Sequence, residues 1–308
     1  MSTPHWQGVF PAATTQFKKD QSLDLDATAR QLEVLIGSGV SGLIMLGSLG
    51  ENTALEPEEK RRVMELAIKT SIGRVPVLSG VAECSTAGAC RYARDMAKLG
   101  AAGLMLLPAM IYKADARETM THFRAVARAT DLPIICYNNP IAYGVDITPE
   151  MFAELADEKT LVAIKESSGN VRRITDLYNT VGNRYTIFTG VDDLALESIL
   201  LGAQGWIAGV GLAFPHENQR LWELASAGEW EKARELYRWY MPLLHLDIPI
   251  KFVQYIKLAM RECGLGAEWV RAPRLPLTGQ ERADILKVIR RGIETRPRLV
   301  RGVKALKR

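Results

Sequence analysis

Cysteine is scarce. The 308 residues hold four (Cys84, Cys90, Cys136 and Cys263), and no two of them form a CxxC pair. Zinc ribbons, dithiol redox motifs and a disulfide framework are unsupported, and reduced thiols in a cytoplasmic setting are the expectation. Long hydrophobic runs are missing too: none approaches the roughly 18 residues that a membrane-crossing helix needs. The opening stretch has no basic segment followed by an apolar one, so it does not read as a secretory leader. Histidine is equally sparse. His5, His122, His216 and His245 show no metal-ligand spacing and read as solvated or capping groups.

Positive charge is also thinner than the net value of +4 suggests. Arg296, Arg298, Arg301, Lys304, Lys307 and Arg308 crowd residues 296–308 without an acid, which leaves the rest of the chain at −2. The basic balance belongs to a tail, expected to be frayed. A nucleic-acid surface needs basic residues gathered on a folded element with aromatics between them, and no such element is seen. The tryptophans Trp222, Trp230 and Trp239 are expected to pack helices together.

What the chain does have is a core and a rhythm. Apolar residues make up 47% and charged residues 24%, the balance of a globular protein. Eight short apolar runs recur: Val9–Thr14, Gly42–Leu46, Val75–Ser79, Gly103–Leu107, Pro133–Tyr137, Val162–Lys165, Thr186–Thr189 and Gly205–Ala208. Amphipathic stretches separate them. The one after Leu55 opens with Glu56-Pro57-Glu58-Glu59, where acids suit the helix dipole and proline lacks only an unneeded donor. Short apolar runs alternating with helices predict buried parallel strands, and eight such units predict a closed (β/α)8 barrel. A doubly wound sheet is disfavoured, because no glycine-rich phosphate turn follows the first run. After Phe214 the alternation stops, and helices are expected near 217–227, 229–240, 248–262 and 279–294. The predicted organisation is a barrel over residues 1–225 and a helical subdomain with its tail over 226–308.

Barrel enzymes place their chemistry at the C-terminal ends of the strands. The sixth run ends in Lys165-Glu166-Ser167-Ser168. A lysine there either turns outward to pair with Glu166 or is held inward, where burial lowers its pKa and frees the amine for Schiff-base formation. The fifth run ends in Tyr137-Asn138-Asn139-Pro140. Neighbouring strands lie about 4.8 Å apart, so Tyr137 would reach the carbon that Lys165 attacks and move a proton there. The second run ends in Gly47-Ser48-Leu49-Gly50-Glu51-Asn52, a turn whose consecutive N–H groups and hydroxyl suit a carboxylate. Glu51 is expected to hydrogen-bond within its own loop.

Taken together, these motifs resemble the dihydrodipicolinate synthase / N-acetylneuraminate lyase family from about Gly8 to the helical C-terminus. The resemblance implies Lys165 as the Schiff-base lysine, Tyr137 as the proton shuttle, and Ser48 as the hydroxyl linking Tyr137 to the substrate carboxylate. It also implies that Gly47, Ser48 and Leu49 hold that carboxylate. Ser167, Gly190, Asp192 and Ile207 would complete the substrate contacts, the last three within Gly190-Val191-Asp192-Asp193 and Gly205-Trp206-Ile207-Ala208-Gly209. Homotetramers (dimers of dimers) without metal or organic cofactor are what the family implies, with a small carboxylate as the partner.

Departures from the family pattern bear on the substrate. Dihydrodipicolinate synthases carry an arginine where this chain has Ala142, and they donate a tyrosine across the dimer interface where it has Met110, with Tyr112 only a displaced candidate. Leu49 replaces a hydroxyl residue. The constellation looks most like the branch that deaminates 1-pyrroline-4-hydroxy-2-carboxylate to 2,5-dioxopentanoate and ammonia in hydroxyproline catabolism. The alternatives are 4-hydroxy-tetrahydrodipicolinate synthase, a lyase or dehydratase of sialic or keto-deoxy sugar acids, or a catalytically silent barrel.

Overall fold

The computed structural model describes residue 4 and residues 6–298. Eight parallel strands form one sheet: β1 (Gly8–Val9), β2 (Leu43–Met45), β3 (Val77–Val81), β4 (Gly103–Leu106), β5 (Ile134–Asn138), β6 (Leu161–Glu166), β7 (Thr186–Thr189) and β8 (Gly205–Trp206). Their order around the sheet is β1-β8-β7-β6-β5-β4-β3-β2. The two ends meet, because a parallel bridge joins Ala12 to Ile44. Ala13 N–H donates to the Ile44 carbonyl at 2.8 Å and Ile44 N–H to the Pro11 carbonyl at 3.0 Å. The barrel predicted from the alternation is therefore closed. The first apolar run is extended throughout, but Pro11 lacks an N–H and interrupts its ladder, so regular pairing there is shorter than the run.

The helices are α1 (Leu25–Gly37), α2 (Pro57–Ser71), α3 (Thr86–Leu99), α4 (Ala116–Ala127), α5 (Pro140–Tyr143), α6 (Pro149–Glu154), α7 (Arg172–Val181), α8 (Ala195–Leu200), α9 (Pro215–Ser226), α10 (Trp230–Leu244), α11 (Phe252–Glu262) and α12 (Gly279–Glu294). Their ends follow local chemistry. α2 begins with a reciprocal cap between Glu56 and Glu59 and with Pro57 in its first turn. α3 starts at Ser85, whose side chain accepts from Gly88 N–H, and stops at Gly100 with φ 85°, a left-handed conformation that glycine adopts without penalty. α10 runs past Pro242 to Leu244, beyond the expected end at 240; near a terminus a proline forfeits one backbone bond without ending the helix.

α9 packs against β1 and α10, the position of an eighth barrel helix. The boundary drawn at 225 falls inside this helix, and one hydrophobic core runs across it from Val9 and Phe10 to Met260 and Ile289. Trp239 stacks on Tyr240 with ring centres 5.4 Å apart and meets Phe214 edge-on at 5.9 Å, which is the helix-packing role expected of it. Arg296 is not frayed: it forks onto Glu217 with contacts of 2.6 and 2.8 Å, a bidentate geometry that planar guanidinium favours. The tail residues 299–308 and His5 lie outside the described residues. Among the described residues no helix is long and apolar enough to cross a membrane.

Candidate active site

β5 and β6 pair in a register that sets Tyr137 directly beside Lys165. Both side chains are buried, and the Lys165 ammonium nitrogen lies 4.0 Å from the centre of the Tyr137 ring. Burial pulls the amine below the ordinary lysine pKa, while Tyr143, Asp247 and Asp192 push it back up. Desolvation wins because no acid closes an ion pair with Lys165 among the described residues. Glu166, the outward alternative, is engaged elsewhere: it accepts from the Asn138 amide at 3.0 Å and from Ser168 N–H at 2.6 Å. Lys165 therefore points inward, as a buried amine.

Room for this amine comes from Gly190, just beyond β7. A methyl group there would stand 2.1 Å from Ser167 Oγ and 2.4 Å from Lys165 Cε. Ser167 Oγ is buried and has no hydrogen-bond partner among the described residues. The Tyr137 hydroxyl lies near it, and a buried hydroxyl without a well-formed hydrogen bond is costly.

Opposite stands the turn after β2. Ser48, Leu49 and Gly47 line a cavity of about 600 Å³ together with Lys165, Tyr137 and Ile207. Gly50 packs so tightly that a Cβ would meet Leu46 N at 2.9 Å and Ala13 O at 3.1 Å. The turn is pinned at Glu51, which has φ 54°. Contrary to expectation, Glu51 is held from outside its own loop. Lys257 of α11 donates to it at 2.6 Å and Arg271 N–H at 3.0 Å. Lys257 of α11 and the segment that follows that helix thus brace the turn after β2.

The Ser48 hydroxyl is hydrogen-bonded to the phenol of Tyr143, where the resemblance implied a link to Tyr137. Tyr143 also meets Tyr137 edge-to-face, ring centres 5.6 Å apart at 83°. It is placed by α5, a single turn capped by Asn139, whose side chain accepts from Ala142 N–H at 2.9 Å and donates to the Tyr137 hydroxyl at 3.1 Å. Burial raises the pKa of Tyr137, countered by Asn139 and by the nearby hydroxyls of Ser167 and Tyr143. Burial holds Tyr143 far above the ordinary phenol value as well. This short helix was not expected, although an Asn-Pro start and a Gly144 stop are its local signals; the closure of its last residue over Ser48 depends on β2 and β5 facing each other, which is not a local property.

Asp192 does not line the cavity. Its carboxylate accepts from the Trp206 indole at 2.8 Å, from Val210 N–H at 2.7 Å and from Gly209 N–H at 3.1 Å. Burial nonetheless raises it to about 6. These bonds tie β7 to the loop after β8, so Asp192 shapes the wall behind Lys165. Two acids line the cavity instead: Asp193, and Asp247 in the turn after α10. Gly209 admits the latter: a methyl there would lie 2.6 Å from Asp247 Oδ1. Burial and Asp192 push the Asp247 carboxyl well above its usual range, and Lys165 opposes them. Nothing in the local sequence announced Asp247, because its approach to the mouth depends on how α10 and α11 return to the barrel.

The remaining candidates are accounted for. Tyr112 is largely exposed and donates to Glu118 at 3.0 Å, while Met110 and Ala142 line the cavity. His245 pairs with Asp193 at 2.9 Å. His122 is not solvated: its ring is buried and Nδ1 lies 3.0 Å from Thr86 Oγ1, filling the space between α3 and α4.

Comparison with known proteins gives one consistent result. The dihydrodipicolinate synthetase family matches residues 5–291. The 4-hydroxy-tetrahydrodipicolinate synthase of Methanothrix thermoacetophila is 32% identical over 285 residues, covering 92% of this chain and 96% of the relative. Its counterpart in Archaeoglobus fulgidus is 33% identical over 295 residues, covering 94% and 99%. Among solved structures, a putative dihydrodipicolinate synthetase from Pseudomonas aeruginosa superposes with TM-score 0.88 at 30% identity, covering 93% of this chain and 99% of that one. The 4-hydroxy-tetrahydrodipicolinate synthase of Methylacidiphilum fumariolicum superposes with TM-score 0.89 at 29% identity, covering 94% and 96%.

Proposed function

The chain belongs to the dihydrodipicolinate synthetase family, and on that footing we propose that it is a lysine Schiff-base lyase acting on a small 2-oxo or 2-imino acid. One observation carries this reading: a buried, unpaired Lys165 amine lies 4.0 Å from the Tyr137 ring in a cavity that the Ser48 turn also lines. The amine is the nucleophile. The N–H groups of Ser48 and Leu49 take the carboxylate, Tyr137 moves the proton, and Ser167 receives a hydrogen-bond partner when substrate enters. The homotetramer that the family resemblance implies belongs to the same reading.

Two substrates compete within it. The named relatives favour the synthase reaction, condensation of pyruvate with aspartate semialdehyde, more directly than any deamination. One cavity feature agrees with them: Arg274 lines the cavity, and its 3.9 Å contact with Glu51 leaves a guanidinium able to meet a second carboxylate. The departures at Ala142, Met110 and Leu49 instead support 1-pyrroline-4-hydroxy-2-carboxylate, whose single carboxylate needs only the turn.

In that reaction Lys165 attacks C2, and the ring nitrogen leaves as an amine after taking a proton. Tyr137 removes a proton from C3, and the C4 hydroxyl takes a proton and departs as water, leaving a C3=C4 double bond. A proton then moves from C5 to C3, which gives the C4=C5 enamine and, by tautomerisation, the C5 imine. Two waters then release ammonia and Lys165, giving 2,5-dioxopentanoate. Asp247, which lines the cavity where Asp192 does not, orients the C4 hydroxyl. Measured kcat/KM for the pyrroline, for pyruvate with aspartate semialdehyde, and for sialic and keto-deoxy sugar acids ranks these directly. Borohydride trapping with each substrate should add the reduced ligand mass at Lys165, and labelling elsewhere would overturn the Schiff-base reading.

A further inference from the structure

We infer that Tyr143 completes the proton relay of this site from within the same chain, passing protons between Ser48 and Tyr137. This rests on the Schiff-base reading and adds a relay residue to it. Tyr143 lines the cavity, is hydrogen-bonded to Ser48 and packs edge-on against Tyr137 at 5.6 Å. The loop after β4 offers no hydroxyl to that cavity: Met110 lines it, and Tyr112 is turned outward onto Glu118.

The position is built for purpose. Asn139 uses both ends of its amide, one accepting from Ala142 N–H to cap α5 and the other donating to the Tyr137 hydroxyl. One side chain thereby sets the distance between the two phenols. Burial raises both phenols above the ordinary value, so both hold their protons at rest.

With a 2-oxo acid, Lys165 attack gives a carbinolamine. Its C2–O bond breaks as the oxygen takes the Tyr137 proton and leaves as water, and the nitrogen lone pair forms the C=N bond. Tyr137 regains a proton from Tyr143, Tyr143 from Ser48, and Ser48 from solvent at the cavity mouth. Removal of a C3 proton runs the same chain in reverse.

The test uses the full-length enzyme. Deuterium exchange into the methyl group of pyruvate, followed by NMR, reports enamine formation whatever the true substrate. Tyr143→Phe should slow exchange and kcat by roughly 10²-fold, the scale of lost acid–base catalysis, with KM little changed. Ser48→Ala should do the same, Ser48→Thr should restore most of the rate, and the Ser48→Ala/Tyr143→Phe pair should be no slower than either alone. Tyr112→Phe should match wild type. Exchange by Tyr143→Phe within twofold of wild type, with borohydride trapping at Lys165 intact, would overturn the relay alone. Absence of trapping in the wild-type enzyme would overturn the Schiff-base reading and the relay with it.

Discussion

Tyr137 and Lys165 are register partners on adjacent strands, and the lysine nitrogen lies 4.0 Å above the tyrosine ring. The contact is backbone-determined: two parallel strands bring the pair together whether or not a substrate is present. A ring face stabilises an ammonium modestly, which partly offsets the desolvation that draws the lysine pKa down.

The first prediction is a pH limb. Only the neutral amine attacks, so kcat/KM should rise with pH through the Lys165 pKa, which burial lowers from that of an ordinary lysine. Asp247 favours the charged lysine. Asp247→Asn removes that support and should move the limb to lower pH. A limb that moves to higher pH, or stays in place in a pH–rate profile, would show that Asp247 does not act on the amine.

A second concerns Gly190. Its replacement by alanine places a methyl 2.4 Å from Lys165 Cε and 2.1 Å from Ser167 Oγ. Both atoms must shift, and a displacement near 1 Å at a reacting group costs roughly 10²-fold in rate. Gly190→Ala should therefore lose borohydride trapping and turnover while its circular dichroism stays native. Retained turnover would mean that the wall yields without moving the amine.

The third addresses stability. Lys257 and Glu51 form a 2.6 Å ion pair with both side chains fully buried. Removing one member of such a pair strands the other, typically at about 3–5 kcal/mol. Lys257→Met should lower stability by that amount in urea unfolding, and Glu51→Gln in the same background should recover part of it. Activity should fall as well, since Glu51 sits at the end of the Ser48 turn.

The fold was legible because its signal is local and repeated. Strand ends at Met45, Asn138, Glu166 and Thr189 follow apolar runs that are buried on both faces, and helix starts at Glu56, Ser85 and Thr148 carry their caps in sequence. The neighbouring positions of Lys165 and Tyr137 were legible for the same reason, each closing its own run. Tyr143 and Asp247 were not. One reaches Ser48 across 95 residues of chain, and the other enters the cavity from the C-terminal helices. Asp192 was misplaced because a Gly-x-Asp-Asp spacing locates a loop without saying which acid the Trp206 indole and the next loop's amides will claim. Glu51 was referred to its own loop because its partners lie 206 and 220 residues away.

That last separation dictates an order of events during synthesis. The ribosome finishes all eight strands well before it reaches Lys257 and Arg271, so the emerging barrel holds Glu51 without the ammonium and the backbone N–H that anchor it in the full chain. The turn after β2 therefore gains these anchors only when the C-terminal segment docks, late in synthesis. A chain cut off after α9 would keep Lys165, Tyr137, Ser48 and Tyr143 and still lack the brace that sets the turn. The C-terminal segment thus finishes a turn laid down more than two hundred residues earlier in the chain.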